Sequence, residues 1–177
     1  MIFTEADVAG AYIIDVEPLS DERGLFARTW CRRELEEHGL DIDVAQCSTS
    51  FNATTGTLRG LHLQAEPFAE TKTVRCTSGA IHDVIVDLRP ESPTYLMHAA
   101  VRLTSENRRM LYIPKGVAHG FLTLVDRTEV AYQMSEFYSA EHARGVRWDD
   151  PAFRIEWPGG ARIINERDRT YPDFVPQ

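Results

Sequence analysis

Lysine is nearly absent from this chain: of 19 cationic residues only Lys72 and Lys115 are lysines. Where arginine is the default, each compact ammonium invites a chemical explanation, because a point charge and a planar guanidinium serve different tasks. Cysteine is scarce as well. Cys31, Cys47 and Cys76 are odd in number and form no CxxC pair, so the three thiols are expected to be reduced and packed as small hydrophobes. No apolar run approaches about 18 residues, so no membrane partner or span is expected. A basic surface is also lacking. The 27 acidic residues outweigh the cations to give a net charge of −8, which argues against nucleic acid as a partner and requires any anionic ligand to meet a local cluster of cations. Met1–Asp7 shows no basic region followed by an apolar stretch, so no secretory signal is read and a cytoplasmic location is expected. P-loop, GxGxxG, HExxH and GxSxG patterns are missing too, which excludes the common phosphate-loop, dinucleotide, metalloprotease and serine-hydrolase readings.

The 177 residues, 43% hydrophobic and 26% charged, suit one globular domain spanning 1–177 with no internal repeat or long linker. A short helix is predicted over Cys31–His38, where charged residues surround Leu35 and Gly39 supplies a stop. A strand is predicted over 11–16 and a turn at Asp21–Gly24. Strands follow at 44–51, 56–64, 71–77, 80–88, 95–103, 109–113, 120–125 and 128–134, separated by turn residues such as Ser78-Gly79 and Pro114-Lys115-Gly116. About eight strands without intervening helices predict an all-β jelly roll or small barrel. The turn-rich tail after Glu141 is expected to pack across it.

Polar residues inside strands that should fill such a barrel are the candidates for chemistry. Period-two alternation places His62 with Leu58, Gly60 and Gln64, and Arg59 on the opposite face, so a bulge would be needed to aim both inward. Pro114-Lys115-Gly116 delivers His119 to a following strand, in a Pro-x-Gly-x-x-His pattern similar to the second motif of cupins, which are double-stranded β-helices. The first cupin motif would be His62-Leu63-Gln64, with an amide in place of one imidazole. Two His with Gln64 and Glu70 make a poor set for a borderline metal, and no metal or other cofactor is expected. Tyr132 shares a face with Val130 and Met134. Lys72 lies in a strand, where an inward ammonium needs a partner or a task. Asp168 is read either as a carboxylate turned back onto a histidine or as a solvated tail residue.

Together these segments resemble the dTDP-4-dehydrorhamnose 3,5-epimerase family, cupin-fold enzymes acting on sugar nucleotides. The carrying residues are Asp21–Gly24, Gly56–His62, Lys72, Asp83–Arg89, Ser92–Thr94, Ile113–Phe121, Gly145–Pro151 and Glu166–Asp168. The resemblance implies a cupin jelly roll with a few short helices, a homodimer, and a nucleotide-diphosphate 4-keto-6-deoxy sugar as substrate. It implies His62 as the base, Asp168 as its orienting carboxylate, Lys72 at the oxygen of the developing enolate, and Tyr132 as the acid on the other face. Arg59 and His119 match substrate or diphosphate contacts, Arg23 a nucleotide-side contact, and Tyr138 a stacking position. Gln46, Arg28, Ser48 and Arg167 fall at further contact positions. Three of these depart from common family residues: Arg28 replaces Glu, Ser48 replaces Asn and Arg167 replaces Lys. The resemblance thus implies inversion at C3 and C5. The alternatives are a single-carbon epimerase or ketoisomerase on a related sugar, a non-catalytic cupin that binds the same ligand, and a metal-dependent cupin oxygenase.

Overall fold

In the computed structural model, which describes residues 1–176, thirteen strands and two short helices are defined among the described residues. The strands are β1 (Ile2–Glu5), β2 (Tyr12–Asp15), β3 (Leu19–Asp21), β4 (Gly24–Phe26), β5 (Gln46–Asn52), β6 (Leu58–Gln64), β7 (Lys72–Ser78), β8 (Ala80–Asp87), β9 (His98–Thr104), β10 (Met110–Ile113), β11 (Val117–Thr123), β12 (Thr128–Met134) and β13 (Ala143–Gly145). The helices are α1 (Arg32–Glu37) and α2 (Glu166–Arg169). A six-stranded sheet ordered β1-β2-β10-β7-β12-β5 faces a five-stranded sheet ordered β13-β6-β11-β8-β9, while β3 and β4 form a separate hairpin. This is the expected cupin-like jelly roll.

Between the sheets, Val74, Cys76 and Val130 from one layer meet Ile81, Ile85, Leu103 and Phe121 from the other. Burying such side chains contributes about 1.5–3 kcal/mol each, so this end of the sandwich supplies much of the stability. Side chains alternate along β8, and both of its faces are covered. Ile81 and Ile85 point between the sheets, whereas Val84 and Val86 pack under the C-terminal tail through Phe153, Ile155, Trp157 and Phe174.

Several expectations change. The predicted strand at 95–103 starts only at His98, because Leu96 takes a positive φ of 64° and its N–H closes a turn onto the Asp87 carbonyl. The strand read as 120–125 is β11, three residues earlier at its start, which puts His119 inside it. Strands β1, β3, β4 and β13 and helix α2 had no sequence signal. The hairpin is exposed along its whole length, and β13 and α2 span three and four residues. Cys76 is buried as expected, but Cys47 is exposed on the edge strand β5.

Candidate active site

At one end of the sandwich the packing opens into a cavity of about 300 Å³, lined among others by Arg59, His62, Lys72, His119, Tyr132 and Asp168. The five-stranded sheet contributes Arg59 and His62 from β6 and His119 from β11. The six-stranded sheet contributes Lys72 from β7 and Tyr132 from β12. The histidines and the phenol therefore stand on opposing walls. A second cavity of about 260 Å³ shares His62, Lys72 and Met134 with the first and continues outward to Tyr138, Arg144 and Arg167. The result is one cleft with an inner end between the sheets' polar residues and an outer end at the exposed Tyr138.

The bulge required by the Arg59/His62 conflict is present. Against β11, His119 pairs with His62 but Phe121 pairs with Arg59, so β6 carries one extra residue across that interval. Both side chains consequently reach the cavity. Gly60 makes this possible: its φ is 127°, and a Cβ there would lie 2.4 Å from the Gly120 Cα. Only paired glycines allow the two backbones to approach so closely.

His62 Nε2 lies 2.6 Å from Asp168 Oδ1, and the other oxygen, Oδ2, accepts the Gly60 N–H at 3.1 Å. Of the two roles read for Asp168, the structure places it turned back onto the histidine, fully buried. The turn is built by Asn165, whose side-chain oxygen accepts the Asp168 N–H at 2.7 Å and caps α2. Burial works against the charged form of Asp168, but the hydrogen bond and charge of His62 and the Gly60 N–H outweigh it and hold the carboxyl below its ordinary range. The His62 side chain keeps 40% of its surface exposed to the cleft.

Lys72 also has the partner that an inward ammonium needs. Its Nζ sits 2.6 Å from Glu70 Oε1 and donates to the His62 carbonyl at 3.3 Å. Glu70 Oε2 is buried without a hydrogen bond, so the pair is not saturated. Burial raises the affinity of Tyr132 for its proton, and the nearby Asp83 charge adds to this while Arg59 opposes it. The phenol is thus held protonated. His119 Nε2 lies 2.7 Å from Asp83 Oδ1, forming a second histidine–carboxylate pair, and its ring meets the Tyr132 ring edge-on at 5.9 Å. Arg59 is aimed by Asn52, whose side-chain oxygen accepts its Nε–H at 2.8 Å.

At the outer end, Gln46 Oε1 accepts the Tyr138 N–H at 2.6 Å, and Arg167 lies 5.8 Å from the Tyr171 ring centroid. Ser48 lines the cavity of Arg59 and His119. Gln64, weighed above as a metal-ligand position, accepts the Ser139 N–H and donates to the Phe68 and Phe137 carbonyls, so it holds the loop that carries Tyr138. Two expected contacts lie elsewhere. Arg23, 84% exposed at the hairpin tip, is bound to Asp21, and Arg28 is bound to Glu34 at 2.8 Å. Neither lines the cleft of its own chain. Sequence reasoning gave no role to Asp83, Asn52 or Asn165. For the first, the available signal was an aspartate on the same alternating face as Ile81 and Ile85.

Residues 5–175 match the sequence model of the dTDP-4-dehydrorhamnose 3,5-epimerase family. The chain belongs to that family. A dTDP-4-dehydrorhamnose 3,5-epimerase from Sinorhizobium fredii is 41% identical over 175 residues, covering 98% of this chain and 90% of its own. The crystal structure of the Bacillus anthracis dTDP-4-dehydrorhamnose 3,5-epimerase with TDP and PPi bound superposes with a TM-score of 0.94 at 40% identity, covering 98% of this chain and 99% of that one. A 3′-monoepimerase from Streptomyces bikiniensis in complex with dTDP-quinovose gives a TM-score of 0.85 at 30% identity, covering 94% of this chain and 84% of its own. As a member of the epimerase family the chain is an isomerase, and none of its described helices is long and apolar enough to cross a membrane.

Proposed function

We propose that the chain inverts C3 and C5 of a dTDP-linked 4-keto-6-deoxyglucose, giving the 4-dehydrorhamnose nucleotide, by proton transfer through an enolate. The observation that carries this reading is the hydrogen-bonded His62–Asp168 pair on one wall and the protonated Tyr132 on the other, with Lys72 in the same cavity. A proton α to a ketone is removed when the negative charge can move onto the carbonyl oxygen. His62 takes that proton; its pair with the buried carboxylate fixes the ring and stabilises the imidazolium that results. The Lys72 ammonium, its side chain only 12% exposed, offsets the charge growing on the C4 oxygen. Tyr132 returns a proton to the opposite face of the carbon, and inversion follows from the two walls being different groups. No redox step is needed, because one C–H bond breaks and another forms at the same carbon.

At the outer end, Tyr138 offers a face for the nucleotide base and Arg167 and Arg144 offer charge for the diphosphate. Gln46, Ser48 and Arg59 complete the contacts to the substrate. We read the active form as a homodimer of single-domain chains in the cytoplasm. The exposed Leu19, Leu25 and Phe26 of the hairpin are a surface for a second copy to cover, and Arg23 and Arg28 contact nucleotide only if that copy brings its cleft to them.

Nuclear magnetic resonance of the substrate in heavy water tests the reading. Deuterium is expected at both C3 and C5, with inversion at both. Deuterium at a single carbon would reassign the chain to the single-carbon reaction, which the similarity to the 3′-monoepimerase keeps as the second reading. Binding without exchange would make it a non-catalytic cupin.

A further inference from the structure

We propose that the His119–Asp83 pair resupplies Tyr132 with the proton it gives to carbon, and that this resupply allows one bound substrate to be inverted at two carbons. The inference rests on the proposed epimerase reading and deepens it. One inversion moves a proton from carbon to His62 and another from Tyr132 to carbon, leaving an imidazolium and a phenolate. A second inversion on the same molecule requires both groups to be reset. His62, with 40% of its side chain exposed to the cleft, sheds its proton to water. Tyr132 needs a donor close by.

The charged and titratable groups around Tyr132 narrow the choice. Arg59 on β6 is held by the Asn52 side-chain oxygen. Lys72 on β7 is committed to Glu70 and to the developing enolate. His62 stands on the wall of the base and has already received its proton. His119 on β11 remains: its ring meets the Tyr132 ring edge-on with centroids 5.9 Å apart in the same cavity, a separation that a proton relay through a single water can span. Asp83 holds His119 Nε2, which leaves Nδ1 as the ring nitrogen free of that bond. Asp83 is fully buried, and its second oxygen has no hydrogen-bond partner among the described residues. The Asp83 carboxylate therefore has the His119 ring nitrogen as its close polar partner, which fixes that ring beside Tyr132. The step balances. The N–H bond of the His119 imidazolium breaks, the O–H bond of Tyr132 forms, and neutral His119 takes its next proton from water entering the cavity.

The test is a single turnover of the intact enzyme with the dTDP-linked 4-keto-6-deoxy sugar in heavy water, with C3 and C5 read separately. In Asp83→Asn the ratio of singly to doubly inverted product is expected to rise at least about tenfold, while exchange at the first carbon slows by less than that. The ultraviolet signature of tyrosinate should build up during turnover in the variant and not in the parent. His119→Gln is expected to behave alike and serves if Asp83→Asn does not fold. An unchanged ratio, or both carbons slowing in step, overturns the proposal. So does release of singly inverted sugar by the parent when unlabelled substrate is added as a chase, since resetting would then occur between binding events. A parent enzyme that exchanges neither carbon would instead overturn the epimerase reading itself.

Discussion

The cleft holds two histidine–carboxylate pairs of nearly equal length, 2.6 Å for His62–Asp168 and 2.7 Å for His119–Asp83, placed in opposite surroundings. The first has an open imidazole and a carboxylate that accepts the Gly60 N–H, on a residue whose own N–H is capped by Asn165. The second has a histidine only 5% exposed and a carboxylate with an oxygen left unbonded. An accessible imidazole backed by a satisfied carboxylate exchanges protons with substrate and water. A closed imidazole backed by a partly unbonded carboxylate meets the neighbouring Tyr132 ring instead of open water. On the reading proposed above, the same pair of side chains is a base in one setting and a reservoir in the other, and the exposure of the imidazole makes the difference.

The comparison breaks hardest at the first pair. His62→Asn should lower solvent exchange at both carbons by roughly 10³–10⁴-fold, the full contribution of a positioned base, and a loss below about tenfold would move the base elsewhere. Lys72→Ala should cost about 10²–10³-fold in kcat with a smaller change in KM, because its charge is needed on the enolate rather than on the ketone. Asp168→Asn removes one charge-assisted hydrogen bond and should slow exchange by roughly 10- to 100-fold at both carbons together. That common slowing contrasts with the altered product ratio expected at the second pair, so steady-state rates beside product ratios separate the two roles.

A third buried carboxylate, Asp87, lies four residues along β8 from Asp83 and sharpens the contrast. Burial pushes its carboxyl up, but hydrogen bonds from Arg89, Ser92 and Thr94 prevail and hold it at about 2. Its folded-state value is depressed, so its stabilisation is fully present above the ordinary carboxylate range and is lost as pH falls toward 2. Asp87→Asn should therefore cost about 2 kcal/mol at neutral pH, and the gap to the parent in chemical denaturation should close between about pH 5 and pH 2. Product ratios should stay as in the parent, because Asp87 touches no group of the cleft.

How much of this was legible in the sequence follows from the range of the interactions. Strands such as β7, β8 and β12 carry period-two or continuous apolar patterns, which local burial imposes, and they were read to within a residue or two at most ends. The direction of His62 was not readable from alternation alone, since the extra residue in β6 shows only in its register with β11. Asp168 reaches His62 across 106 residues, a contact that no pattern along the chain encodes. Asp83 lies opposite Phe121 in the β8–β11 register, so His119 is its diagonal neighbour on the same face. That relation becomes visible only once the strands are paired. The resemblance to a known family supplied His62, Lys72, Tyr132 and Asp168 together; for the hairpin arginines it supplied positions that the fold leaves outside the cleft of their own chain.

The most direct measurement is the stereochemical fate of substrate turned over by Tyr132→Phe in heavy water. With His62 intact, deuterium should enter the carbon beside the ketone while the configuration is retained, because the proton leaves and returns on the same wall. Inversion at the parent's rate, or loss of exchange together with inversion, would contradict the assignment of base and acid to opposing walls.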